Sequence, residues 1–233
     1  LQLEFALATR STAAGTTSSS EILEVVVYSY YQCHSGTASG STTGSDLQGI
    51  NGNLSKNYAL GSDIDATETA NWGAFNGGSG FKPLGGIGLN NSAIFQGKFS
   101  GLGHTIKGLS IRAPVSDAVG MFGSIKYSEI RDITLTQLEV KGKDSTGGLA
   151  GYADGAEIRN VHTSGVVNGV EDVGGLFGNM PRGVLISNSH SDATVTGTGI
   201  NTGVGGLVGG FTGGFILDSY SSGAIYGQSN LGG

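Results

Sequence analysis

The chain has 233 residues, of which 37% are apolar and only 13% charged, with a formal net charge of −6. Its 12 Lys and Arg residues are spread singly, without a basic stripe, which argues against nucleic acid as a partner. The single cysteine, Cys33, excludes an internal disulfide, and no apolar run reaches the ~18 residues of a membrane-spanning helix. These properties fit one extended domain that does not insert into a membrane, and no motif indicates a cofactor.

Residues 1–45 differ in texture from the rest of the chain. Two stretches, 11–20 and 35–45, are rich in Ser, Thr and Gly and are typical of linkers. Between them lies the β-prone run Glu21–Tyr31. We expect Val25–Tyr31 to cap the open edge of the first coil of the folded part. The alternatives are a non-native leader or an arm that is ordered only by a neighbouring molecule.

Residues 46–118 contain the best carboxylate pair of the chain, Asp63-Ile-Asp65. In a strand, both side chains would share one face about 6.6–7 Å apart, wide enough for an acid and a base that act through water. Asp63 and Asp65 are therefore the candidate catalytic residues if the protein is an enzyme. The competing interpretation is a structural turn, in which case the chain has no catalytic residues.

The same segment holds a long irregular region with three aromatic residues, Trp72, Phe75 and Phe81. Aromatic side chains on a loop that leaves a rigid scaffold can stack on sugar rings, so these three are the candidate ligand-binding residues. The alternative is that they pack as a lid over the first coils.

Residues 119–233 repeat a glycine phrase. The copies are Val119-Gly-Met-Phe-Gly123, Thr146-Gly-Gly-Leu-Ala-Gly151, Val173-Gly-Gly-Leu-Phe-Gly178 and Val204-Gly-Gly-Leu-Val-Gly209, followed by a bare Leu231-Gly-Gly233. Their closing glycines are 28, 27 and 31 residues apart. A fixed period in this range indicates a solenoid, in which each unit buries its apolar face against its neighbours. Because Leu231 opens a further unit, we expect the chain to be a fragment of a longer protein.

Each unit also contains two further runs that are rich in β-branched or apolar residues. The first is Ile130-Arg-Asp-Ile133, Ile158-Arg-Asn-Val161, Ile186-Ser-Asn-Ser189 and Ile216-Leu-Asp-Ser219, and the second ends at Gly142, Gly169, Gly197 and Gly227. No helical period of useful length is present. Three short strands per ~28-residue coil, at roughly 119–123, 129–135, 138–141 and their copies, predict an all-β parallel β-helix.

The repeat also predicts which side chains stack on one another. Glu129 should stack on Glu157 and Arg131 on Arg159, so that acidic and basic columns alternate on the outward face. Another column should contain Thr134, His162, His190 and Tyr220. His162 and His190, about 5 Å apart, would be the candidate metal ligands, although a polar ladder without metal is the simpler interpretation because no Cys, Asp or Glu shares their column.

The order of segments resembles the large bacterial exoproteins of the filamentous-haemagglutinin type, in particular those with GLUG repeats. The matching segments are Asp46–Asp65, Trp72, Gly80-Phe-Lys-Pro-Leu-Gly85, Phe95–Ile106 and Gly108-Leu-Ser-Ile111, which run into the glycine phrases and extend the resemblance to Gly233. The resemblance implies a right-handed parallel β-helix that is secreted or held at the bacterial cell surface. Residues 1–45 do not resemble the secretion domain of these proteins.

The function that this resemblance implies is adhesion. We expect a stiff solenoid that binds host or environmental glycans or surface proteins through many weak contacts. The first alternative is a secreted carbohydrate-active enzyme with the same fold, either a polysaccharide lyase or a glycoside hydrolase. The second alternative is a purely structural stalk. The exposed end of the last coil also predicts end-to-end self-association.

Overall fold

The computed structural model describes residues 47–75, 78–87, 93–200 and 202–232. These residues form a β-solenoid of stacked coils with almost no helix, which confirms the predicted fold class. The predicted capping strand, Val25–Tyr31, lies outside the described residues.

The described residues contain two short 3₁₀ helices, Leu47–Gly52 and Thr67–Asn71. Neither of them, nor any other described segment, forms a helix with the length and apolar character needed to cross a membrane. Both precede the regular coils and pack beside the first strands of the solenoid.

Most strands belong to one wide sheet that runs the length of the solenoid. Its strands are β1 (Tyr58–Ala59), β2 (Ile64–Asp65), β3 (Ala74–Phe75), β4 (Gly78–Gly80), β5 (Lys98–Ser100), β6 (Thr105–Lys107), β7 (Ser110–Arg112), β9 (Glu129–Lys141), β12 (Glu157–Gly169), β15 (Val184–Ser187), β16 (His190–Ser191), β17 (Thr194–Gly197), β20 (Gly214–Leu217), β21 (Tyr220–Ser221) and β22 (Ile225–Tyr226). All pairings in it are parallel except those of β3 with β4 and of β4 with β7.

Two four-stranded parallel sheets form the other sides of the coils. The first contains β10 (Asp144–Gly147), β13 (Glu171–Gly174), β18 (Val204–Gly205) and β23 (Leu231–Gly232). The second contains β8 (Phe122–Lys126), β11 (Ala150–Asp154), β14 (Phe177–Arg182) and β19 (Val208–Phe211). Each complete coil therefore contributes one strand or strand group to each of three sheets.

The strand bounds predicted for the coils are wrong in two respects. The expected strand at 119–123 is β8 at Phe122–Lys126, and Val119 makes only an isolated bridge to Thr146. The expected strands at 129–135 and 138–141 are one continuous strand, β9. The glycine phrase is thus not a strand but a corner, because its first residues end a strand of one sheet and its last residues begin a strand of the next.

Apolar columns fill the interior of the solenoid. One column of the wide sheet places Phe99, Ile130, Ile158, Ile186 and Ile216 in register. The first coils add a cluster of buried rings, in which Phe95 and Phe122 lie 4.9 Å apart between ring centroids. Because alternate residues of a strand face opposite sides, this inward column fixes its neighbours as outward-facing.

Candidate functional site

The outward face of the wide sheet is charged near its first coils. Glu129 pairs in register with Glu157 and Arg131 with Arg159, as predicted. The two columns neutralise each other, since Glu129 accepts from Arg159 at 2.9 Å and lies 3.3 Å from Arg131. A depression at this place is lined by Asn57, Tyr58, Lys98, Glu129, Arg131 and Arg159.

The same face becomes aromatic and apolar in the last coil. Phe215 lies in register with Leu185, and Tyr226 with Thr196. Both residues are next to positions that face inward, so their own side chains face outward. Their exposed fractions are 70% for Phe215, 58% for Tyr220 and 58% for Tyr226. We call these three residues the aromatic row. This row was not predicted from the sequence. The signal is nevertheless present, because an alignment of the repeats shows that aromatic residues replace Glu, Thr and Lys in these columns.

The histidine column meets the aromatic row at Tyr220 and has the predicted register. Thr134, His162, His190 and Tyr220 are successive partners across the parallel strands. The imidazole rings of His162 and His190 stack with centroids 4.0 Å apart and an interplanar angle of 17°. The Tyr220 ring stacks on His190 at 4.9 Å.

The carboxylate of Asp192, which lies outside this column, also reaches the histidines. This contact was not predicted from the sequence. Nε2 of His162 lies 3.1 Å from Oδ2 of Asp192, and the Ser222 hydroxyl donates to Oδ1 of Asp192. Ligand atoms of His162, His190 and Asp192 all lie within 4.8 Å of one another. No acidic residue shares the histidine column itself, but Asp192 reaches His162 diagonally from the neighbouring coil.

Local contacts lower the pKa values of His190 and Asp192. Burial lowers the pKa of His190, and the nearby His162 lowers it further. The hydrogen bond from Ser222 is the main cause that lowers the pKa of Asp192, followed by His162. At neutral pH the imidazole of His190 is therefore neutral and Asp192 is ionised.

The carboxylates of both candidate catalytic residues, Asp63 and Asp65, make hydrogen bonds with residues that lie next to them in the fold. Asp63 accepts from the Thr105 amide at 2.9 Å, and its Oδ1 lies 3.1 Å from Nδ1 of His104. Asp65 accepts from the amide and hydroxyl of Thr67, at the start of the second 3₁₀ helix. These bonds lower the pKa of both carboxyl groups, so neither has the raised pKa of a general acid.

The three predicted ligand-binding aromatic residues pack against the core. Phe81 is 1% exposed and has no ring face open to a ligand in this structure. Trp72 is partly buried, with its ring centroid 6.4 Å from that of Phe81, and Phe75 also packs partly buried on the core. The structure does not bring them together with the aromatic row.

Three curated proteins resemble parts of this chain. Halomucin of Haloquadratum walsbyi is 37% identical over 62% of this chain, but that match covers 2% of halomucin. The immunoglobulin A1 proteases of Streptococcus sanguinis and Streptococcus pneumoniae are 28% and 26% identical over 56% and 70% of the chain. No family model matches the sequence.

A solved structure shares the fold. It is the "putative immunoglobulin A1 protease" from Bacteroides ovatus, with a TM-score of 0.59 and 20% identity over 80% of this chain and 61% of that chain. At this identity the likeness concerns the fold alone. The chain spans only 2–8% of the length of the curated relatives, so it corresponds to a small part of each.

Proposed function

We propose that this solenoid is a binding module of a secreted or cell-surface protein, an adhesin-like module of the filamentous-haemagglutinin type with GLUG repeats. The similarity to immunoglobulin A1 proteases supports an extracellular setting, since their named substrate is an antibody found outside cells. The ligands that we propose are glycans or surface proteins of a host or of the environment.

The observation that carries this proposal is the aromatic row on a rigid sheet face. Phe215, Tyr220 and Tyr226 project from the outward face, because they are in register with the outward-facing Leu185, His190 and Thr196 of the coil before. They lie on β20, β21 and β22, which are successive segments of one coil, and the backbone of each segment is fixed by parallel pairing with the coil before. An array of rings held in fixed positions loses little conformational entropy when a ligand binds.

A glycan is the ligand that fits this face best. The apolar faces of sugar rings can pack on Phe and Tyr rings, while hydroxyl groups of a sugar can bond to nearby polar side chains. Such polar side chains surround the aromatic row, since Thr194, Thr196 and Ser222 occupy adjacent outward positions. Several sugar units bound in succession along the sheet would add weak contacts into a stable attachment.

A glycan array followed by titration of the best glycan tests this function. Substituting Phe215, Tyr220 or Tyr226 by Ala should each weaken binding about 2–10-fold, as the loss of about 0.5–1.5 kcal/mol of aromatic stacking implies. Tyr127→Ala is the matched control, because Tyr127 is 72% exposed but lies at a turn away from the row.

Three outcomes would contradict the proposal. Equal binding by the row variants and the wild-type protein would place the ligand elsewhere. Absence of any bound glycan or surface protein would favour the stalk alternative. Release of reducing sugar from a polysaccharide, abolished by Asp63→Asn or Asp65→Asn, would instead favour a carbohydrate-active enzyme.

A further inference from the structure

We propose that His162, His190 and Asp192 form a Zn²⁺ site on the outward face of the wide sheet. The site joins two successive coils and borders the aromatic row, since Tyr220 stacks on His190. His162 belongs to β12, whereas His190 and Asp192 belong to the following coil. Within the part of the chain that the structure describes, this is the cluster that brings three His or acidic ligand atoms together.

The backbone positions the three ligands before any metal binds. Parallel pairing sets His162 directly against His190, and the Asp192 amide donates to the Thr163 carbonyl at 2.8 Å. Below this surface, the buried hydroxyls of Thr163 and Ser191 are hydrogen-bonded at 3.0 Å, which holds the two strands in this register. His162 and His190 therefore project from paired strands, and Asp192 follows directly after β16 with its amide held by the Thr163 carbonyl.

The distances are compatible with tetrahedral coordination after a small side-chain movement. Zn–N and Zn–O bonds of about 2.0–2.1 Å place two tetrahedral ligands about 3.3–3.4 Å apart. The 3.1 Å between Nε2 of His162 and Oδ2 of Asp192 is close to this value, so Zn²⁺ would replace the proton that these atoms share. The stacked rings of His162 and His190 must open to direct both nitrogens at the ion, and the His190 ring must also move away from the Tyr220 ring that stacks on its other side.

A second shell already holds the carboxylate. Oδ1 of Asp192 accepts from the Ser222 hydroxyl of the next coil, which leaves Oδ2 to face His162. Metal-ligating carboxylates commonly have such a hydrogen-bonded partner, which orients them and tunes the affinity. Three successive coils thus contribute to one site.

The donor set favours Zn²⁺ over the hard cations. Two imidazoles and one carboxylate are typical ligands of Zn²⁺, whereas Ca²⁺ and Mg²⁺ prefer oxygen ligands alone. Three protein ligands also leave a fourth position for water or for a donor atom of another molecule. Bound Zn²⁺ would cross-link neighbouring coils and stabilise the folded chain.

The test is titration of the full chain with Zn²⁺, followed by calorimetry and by the visible absorption of a Co²⁺-substituted sample. Because Cys33 and His34 are adjacent and can bind Zn²⁺ themselves, every protein carries Cys33→Ser and His34→Gln. We expect one Zn²⁺ per chain, absorption typical of tetrahedral Co²⁺, and a rise in Tm that EDTA reverses. His162→Thr, His190→Thr and Asp192→Asn should each weaken binding at least about tenfold, and Ser222→Ala about 10–100-fold.

The threonine variants are chosen to preserve the fold, since Thr105 and Thr134 occupy the same column in earlier coils. The matched control is His104→Thr, because the His104–Asp63 pair has the same 3.1 Å separation as His162–Asp192 but belongs to no three-ligand cluster of the described residues. This control should bind Zn²⁺ like its parent. Absence of Zn²⁺ binding, or binding that survives both histidine variants, would overturn the proposal. A Zn²⁺ anomalous peak away from these side chains in a crystal would overturn it as well.

Discussion

At the scale of single residues, a column of Asp and Asn bends the wide sheet. Asp132, Asn160, Asn188 and Asp218 repeat at the same place in four coils, and all have φ between 47° and 55°. This left-handed conformation costs most residues about 1–2 kcal/mol, but Asn and Asp tolerate it because their short polar side chains bond locally. Here the Asn160 amide donates to the Asp132 carboxylate of the preceding coil at 3.0 Å.

Substitution of Asn160 tests this role. Asn160→Val should lower the free energy of unfolding by about 1–2 kcal/mol, since a β-branched side chain clashes with the backbone at φ > 0. Asn160→Gly should cost less, because glycine adopts this conformation readily. Chemical denaturation of the three proteins gives the comparison.

Asn168→Val provides the control for residue type. Asn168 lies in the same strand and faces outward, but its backbone is not in the left-handed region. Valine should be tolerated there, because β-branched residues fit an extended strand. A similar loss of stability in the two valine variants would mean that backbone conformation is not the reason for Asn at position 160.

At the scale of the strands, the closing glycines allow two sheets to meet at a tight corner. A Cβ atom on Gly151 would overlap the backbone of Ala118 and Val119, and one on Gly178 would overlap Ser145 and Thr146. Ala118 and Ser145 themselves have φ of 55° and 50°. The glycine phrase repeats because each coil brings its backbone this close to the coil before.

Gly151→Ala should therefore destabilise the protein by at least about 3 kcal/mol, the upper part of the range for overpacking, because the overlapping atoms belong to backbone and cannot rotate away. Thermal and urea unfolding measure the effect. Gly232→Ala is the control, since a Cβ there meets no atom within 4 Å. Near-native stability of Gly151→Ala would show that the corner can relax and that the phrase has another cause.

At the scale of the whole molecule, the stability of each coil depends on its contacts with the coils on either side. The inner strands of the wide sheet pair with the coils before and after them, as β12 does with β9 and β15. Ile158 and Ile186 are fully buried between coils, whereas Ile216 in the last coil is 36% exposed. In such a one-dimensional array the free energy of folding is the sum of coil and interface terms.

Replacing residues 231–233 by one further coil, copied from residues 204–230, should raise the Tm because it buries the apolar end that Ile216 and Ile225 expose. The same coil should reduce the end-to-end association that we expect of the present chain at high concentration. Calorimetry and sedimentation measure the two effects. A Gly/Ser-rich extension of equal length is the control, and an equal Tm for both extended chains would contradict the prediction.

The sequence by itself determined the solenoid and its register. A repeat near 28 residues allows each coil to pair only with its neighbours, so the positions of Ile130 over Ile158 and of His162 over His190 follow from counting residues. The sequence also determined where Asp and Asn recur, because the left-handed bend admits few other residue types.

Only the tertiary structure decided which parts of a coil are strands and which side chains meet. The glycine phrase was expected to be a strand, yet the close approach of backbones between coils places it at a corner. The contact of Asp192 with His162 joins different columns of successive coils, and it depends on side-chain conformation and on Ser222, which a one-dimensional repeat does not encode. The structure also shows that Phe81 is buried whereas Tyr220 is exposed. The sequence could not distinguish the two, because an aromatic residue contributes in the same way to composition in a core and on a surface.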